Sequence, residues 1–97
     1  MNRAEFVFTI GFQGDAAVVD KRSMKSYRNL STMELAEYGL YRAAFCSALF
    51  ANNKDEMDEF VLYFSEKTGM AELTEDRLKR LFGVHTVPDD VKKVIPV

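Results

Sequence analysis

One cysteine, one histidine and two prolines in 97 residues narrow the chemistry open to this chain. A lone cysteine, Cys46, cannot build a disulfide framework and fits a reducing compartment, with the cytoplasm as the expected location. Cys46 and His85 together cannot supply the ligand set of a closed zinc site. The acidic run from Asp55 to Glu59 lacks the alternating oxygen ligands and central glycine of a calcium loop. It reads instead as the start and solvent face of a helix. Glycine is sparse as well, and Gly11 and Gly14 do not lead directly into a helix as a phosphate-binding fingerprint would. No metal or other cofactor is therefore expected.

Long apolar runs are also missing. The longest, Ala43 to Ala51, is about half of the roughly 20 residues needed to cross a bilayer. The first residues carry one arginine, but their apolar positions alternate and no small-residue cleavage site follows, so neither a signal peptide nor a membrane span is expected. Cys46 and His85 could in principle form a nucleophile and its base. Cys46, however, falls among Phe45, Leu49 and Phe50, where a thiol acts as a small hydrophobe. No catalytic residue is expected.

Net charge is −2, unevenly spread. Residues 1–30 carry five basic and three acidic groups, residues 31–76 three and ten, and residues 77–97 five and two. Basic ends flanking an acidic middle can be satisfied within the fold or between two copies.

What the chain does have is a long apolar stretch of helical character from Ser31 to Asn52. Ser31 and Glu34 form a capping box, and no proline follows. Glu34, Glu37, Tyr41 and Asn52 fall on one narrow arc, with apolar residues over most of the rest. A helix so apolar is buried on several sides and needs several partners. Before it, residues 4–12 alternate, with Phe6, Phe8, Ile10 and Phe12 on one side, which predicts a half-buried strand. Gln13-Gly14-Asp15 has turn chemistry, and residues 16–20 read as the returning strand, placing Phe8 opposite Val19 and Ile10 opposite Ala17. The segment 21–29 reads as a basic connecting arm.

Asn53 with Glu56 predicts a second cap, followed by Met57, Phe60, Val61 and Phe64 on one helical face, with Gly69 as the stop. The short link makes the two helices an antiparallel hairpin. Thr74 predicts a third helix to Phe82, buried through Leu78, Leu81 and Phe82 and stopped by Gly83. Pro88 sits where a further helix could start, and the apolar end Val94–Val97 is expected to dock on protein.

Three candidate binding features emerge. Segment 60–82 has the layout of a helix-turn-helix, with Arg77, Lys79 and Arg80 as possible DNA contacts. Against it, the turn is long, the second helix opens on Glu75 and Asp76, and the pI is near 5.4. Lys21, Arg22, Lys25 and Arg28 form a basic arm able to meet an anion or a partner. Arg42 lies at the centre of the apolar arc, and a buried guanidinium must be partnered. The expected partner is Glu59 or Glu66 on the neighbouring helix, and the alternative is a phosphate or carboxylate ligand.

The predicted architecture is one α+β domain over residues 1–97: an antiparallel two-stranded hairpin, three helices and a short tail, sharing core or sheet with a second copy. The leading functional expectation is a small non-catalytic interaction module that forms a homodimer, with another protein as a further candidate partner. A DNA-binding regulator and a small-anion binder centred on Arg42 are the alternatives.

Overall fold

Asn2 and Glu5 determine how the chain begins. In the computed structural model, which describes residues 1–97, the Asn2 side chain accepts from the Glu5 backbone N–H. The Glu5 carboxylate accepts from the Asn2 N–H at 2.8 Å, completing a capping box. This opens helix α1, Arg3–Val7, and confines the strand expected over 4–12 to β1, Thr9–Gln13. Phe6, Val7 and Phe8 are consecutive and all buried, whereas Ile10 is 61 % and Phe12 51 % exposed. The aromatic alternation thus spans two different elements and does not mark one sheet face.

The chain reverses at Gly14, whose φ of +60° suits a residue without Cβ, and returns as β2, Ala16–Val19. Thr9 pairs with Val19 and Phe12 with Ala17, and a bulge falls between Thr9 and Gly11. The expected partners of Phe8 and Ile10 are therefore displaced, with Ile10 left in the bulge. The apolar tail docks as β3, Lys93–Pro96, parallel to β2, so the sheet has three strands in the order β1-β2-β3. Residues 84–92 contain no helix, so Pro88 does not begin one.

Six helices replace the expected three. The supposed arm is α2, Lys21–Tyr27, because Asp20 caps it: its two carboxylate oxygens accept from the Ser23 N–H at 3.1 Å and the Ser23 hydroxyl at 2.8 Å. The long apolar stretch is divided. α3, Thr32–Glu37, keeps the Ser31–Glu34 capping box and ends where Gly39 takes φ +80°. There the Gly39 N–H donates to Ala36 and the Leu40 N–H to Leu35, the paired bonds of a Schellman motif. α4, Tyr41–Ala51, then starts afresh without a side-chain cap. α5, Lys54–Thr68, and α6, Glu75–Phe82, begin at Asn53 and Thr74 and end at left-handed Gly69 and Gly83.

The core gathers around α4. Tyr41 meets Phe64 edge-on at 5.1 Å and Phe45 meets Phe60 at 6.1 Å, so α5 runs back along α4. Phe82 closes the cluster, stacking on Phe45 at 5.4 Å and meeting Phe64 at 5.5 Å. Each fully buried phenyl ring contributes about 1.5–3 kcal/mol by leaving water. Ala44, Ala48 and Cys46 are small and buried, which lets α1 and α3 approach the same helix. Leu78 is buried in this core, but Leu81 is 52 % exposed, so α6 presents a narrower apolar face than its sequence suggested.

The corrected placement of Phe8 and Phe12 has a measurable consequence. Phe8→Ala is expected to cost about 3–5 kcal/mol in urea unfolding, the usual range for emptying a buried aromatic site. At a dilution where the chain is monomeric, Phe12→Ala is expected to stay within about 1 kcal/mol, because half of its ring already faces water. Equal losses at the two positions would restore the single-face strand.

Candidate functional site

Arg42, the only charge between Glu37 and Lys54, occupies the first turn of α4 and is half-buried. Its guanidinium does not meet Glu59 or Glu66, and the ion pair expected with one of them is absent. Nη1 donates to the Thr9 carbonyl at 2.7 Å and Nε to the Phe82 carbonyl at 3.3 Å. The Phe82 carbonyl belongs to the last residue of α6, where carbonyls lack an intrahelical donor and carry the negative end of the helix dipole. Thr9 sits at the edge of the bulge. Two backbone dipoles thus take two of the five guanidinium N–H donors of Arg42 and leave its formal charge without a carboxylate.

That charge borders an open surface hollow of about 570 Å³. Val7, Phe8, Ile10, Leu40, Tyr41 and Ala43 form apolar walls, and Asp20 and Ser23 contribute from the start of α2. The Asp20 carboxyl is held below its ordinary pKa, chiefly by the hydrogen bond from the Ser23 backbone and then by the Ser23 hydroxyl. Asp20 and Arg42 border the same space without forming an ion pair. Of the two, only Arg42 was anticipated; the cap signal Asp20-x-x-Ser23 was present in the sequence.

The other sequence candidates are dispersed. Lys21, Arg22, Lys25 and Arg28 are all exposed along α2 and its C-terminal end, and none lines the Arg42 cavity. Arg77 donates to the carbonyls of Ala71 and Glu72 at 3.3 and 3.0 Å, bracing the turn before α6. Lys79 pairs with Glu75 at 3.2 Å, and Arg80 projects from the surface. Two of the three possible DNA contacts are therefore engaged within the chain. Cys46 is buried, and burial pushes its thiol up to about 11, against a smaller opposing pull from Arg42. A thiol so protonated is a poor nucleophile at neutral pH.

A second cavity of about 1010 Å³ lies between the α4–α5 turn and the start of α6, with His85 and Thr86 on its rim. Its lysines are neutralised locally, Lys54 by Asp58 at 2.8 Å and Lys79 by Glu75. No group of three or more His, Cys, Asp or Glu side chains gathers in a metal-binding arrangement. No helix is long and apolar enough to cross a membrane.

A polar network missed in the sequence runs through the core. Arg3 Nη2 donates to the Leu30 carbonyl at 2.6 Å and to Ser47 Oγ at 2.7 Å, and Arg3 Nη1 donates to the Arg28 carbonyl at 3.1 Å. The Ser47 and Thr32 hydroxyls lie 2.7 Å apart, and Thr32 donates onward to the Glu56 carboxylate. Because each hydroxyl has one proton, the direction is set: Arg3 to Ser47, Ser47 to Thr32, Thr32 to Glu56. The chain links a cation on α1 to an anion on α5 across α4 and α3. It is a structural tie, and no buried side-chain polar atom is left without a partner.

Comparison with family models, curated proteins and solved structures finds no match for this chain. Function must then be argued from the geometry.

The carbonyl clasp on Arg42 makes a specific demand. Arg42→Met is expected to cost about 1.5–3 kcal/mol, the range for hydrogen bonds made by a charged group. Adding Glu59→Gln or Glu66→Gln should not restore the loss, because neither acid is the partner. Recovery in either double variant, measured by urea unfolding, would reinstate the ion pair.

Proposed function

We propose that this protein is a small non-catalytic interaction module that assembles as a homodimer through the free edge of β1. The observation that carries the reading is the character of that edge. β1 is an outer strand, and Thr9–Gln13 contains neither a charge nor a proline to discourage pairing. Its two large apolar residues, Ile10 and Phe12, are more than half exposed. An antiparallel mate related by two-fold symmetry would bring the same strand against itself, giving an isologous interface and one continuous sheet. The bulge at Ile10 and the Arg42 bond to the Thr9 carbonyl shorten the edge available for pairing to its Gly11–Gln13 end. A cytoplasmic location belongs to the same reading, in keeping with the single unpaired thiol.

The small-anion alternative is favoured by a separate observation: Arg42 borders a cavity with no carboxylate bound to it. The two features adjoin, since Ile10 both belongs to β1 and lines that cavity. The DNA-binding alternative has less behind it, with Arg77 and Lys79 already engaged and Glu75 and Asp76 at the start of α6.

Sedimentation equilibrium at micromolar concentration is expected to give twice the chain mass of 11.1 kDa. Phe12→Lys should shift the population to monomer while leaving helical content unchanged. A wild-type chain that stays monomeric would remove the dimer proposal.

A further inference from the structure

The cavity beside Arg42 has a second charged border that the anion reading leaves unused. We infer that it takes a small zwitterion with an apolar body, an amino acid being the simplest case, its carboxylate on Arg42 and its ammonium on Asp20. This inference rests on the anion-binding reading of the same cavity and adds the ligand's second charge.

Three observations carry it. First, Arg42 uses Nε on Phe82 and Nη1 on Thr9, which orients the guanidinium and leaves its other N–H groups free to bind an oxyanion. Second, Asp20 is fixed by Ser23, yet a carboxylate can accept more bonds than the two it receives. Third, the two opposite charges border one cavity without pairing. Each is held by bonds to its own neighbourhood, Arg42 by carbonyls and Asp20 by the start of α2. A ligand carrying both charges can satisfy each at once, whereas a simple anion would sit in a site that also holds a carboxylate. The apolar surface supplied by Ile10, Leu40 and Tyr41 suits an aliphatic or aromatic side chain.

Thermal unfolding of the full chain tests this with three probe sets: the apolar L-amino acids, their amides, which lack the carboxylate, and the matching fatty acids, which lack the ammonium. At about five times its dissociation constant, a bound amino acid should raise the Tm by about 4–8 °C. The amide and the fatty acid should produce much smaller shifts. Asp20→Asn provides the control, since asparagine caps a helix as well as aspartate, and its amide NH2 can donate to the Ser23 hydroxyl where the carboxylate accepted from it. In that variant the advantage of the amino acid over the fatty acid should vanish. A fatty acid that stabilises the wild type as well as the amino acid would leave the anion reading standing and overturn the zwitterion. An amide that matches the amino acid, or no shift from any probe set, would overturn both.

Discussion

The contact of the Arg42 guanidinium with two backbone carbonyls is the interaction on which the arrangement of this fold depends. Thr9 belongs to the hairpin, Phe82 to the end of α6, and Arg42 to the first turn of α4. One side chain therefore ties the sheet, the central helix and the last helix together. Carbonyls suit the task better than a carboxylate would. A buried ion pair requires both partners to be stripped of water, which can outweigh their attraction. The carbonyls are already inside the fold, and the one at the end of α6 needs a donor in any case. The consequence is a positive charge that is hydrogen-bonded but not neutralised, at the border of a cavity.

Arg3 repeats the device on the other side of α4. It gathers the Arg28 and Leu30 carbonyls behind α2 and joins them to Ser47. From Ser47 the hydroxyl relay continues to Thr32 and Glu56. α4 is thus fastened by an arginine on each flank, and its apolar surface fills the space between. Phe45 stacks on Phe82 and meets Phe60, while Ala44 and Ala48 allow close approach elsewhere. The apolar cluster supplies most of the driving force for collapse, and the arginine contacts select which element ends meet.

The parts of this structure that depend on a few neighbouring residues were legible in the sequence. Ser31 with Glu34, Asn53 with Glu56, Thr74, Gly69 and Gly83 mark helix ends because a cap is made within one turn. The face of Met57, Phe60 and Phe64 was equally readable. Residues 4–12 read as a single strand because a one-turn helix followed by a strand can carry the same alternation as a strand alone. Of the deciding pair, Asn2 lies just before the alternating run and Glu5 inside it. Gly39 gives no signal in the apolar pattern, which continues unbroken across it, although a left-handed glycine ends a helix without altering that pattern. The isolation of Arg42 among apolar residues was visible. Its acceptors were not, because backbone carbonyls have no residue type, and the acids on α5 were the only partners a sequence could offer. β3 eluded recognition for a related reason, since parallel pairing with β2 depends on the whole fold bringing residues 93–96 alongside.

The proposed binding role draws on an arginine held by carbonyls and an aspartate held by its own helix start, and its anion site rests on the placement of Arg42. The most direct test is NMR of the Arg42 guanidinium in uniformly labelled protein. Slow exchange of its N–H protons, with through-bond correlations from Nη1 to the Thr9 carbonyl and from Nε to the Phe82 carbonyl, is the expected result. Exchange as fast as in free arginine with neither correlation, or correlations to a Glu59 or Glu66 carboxylate, would contradict it.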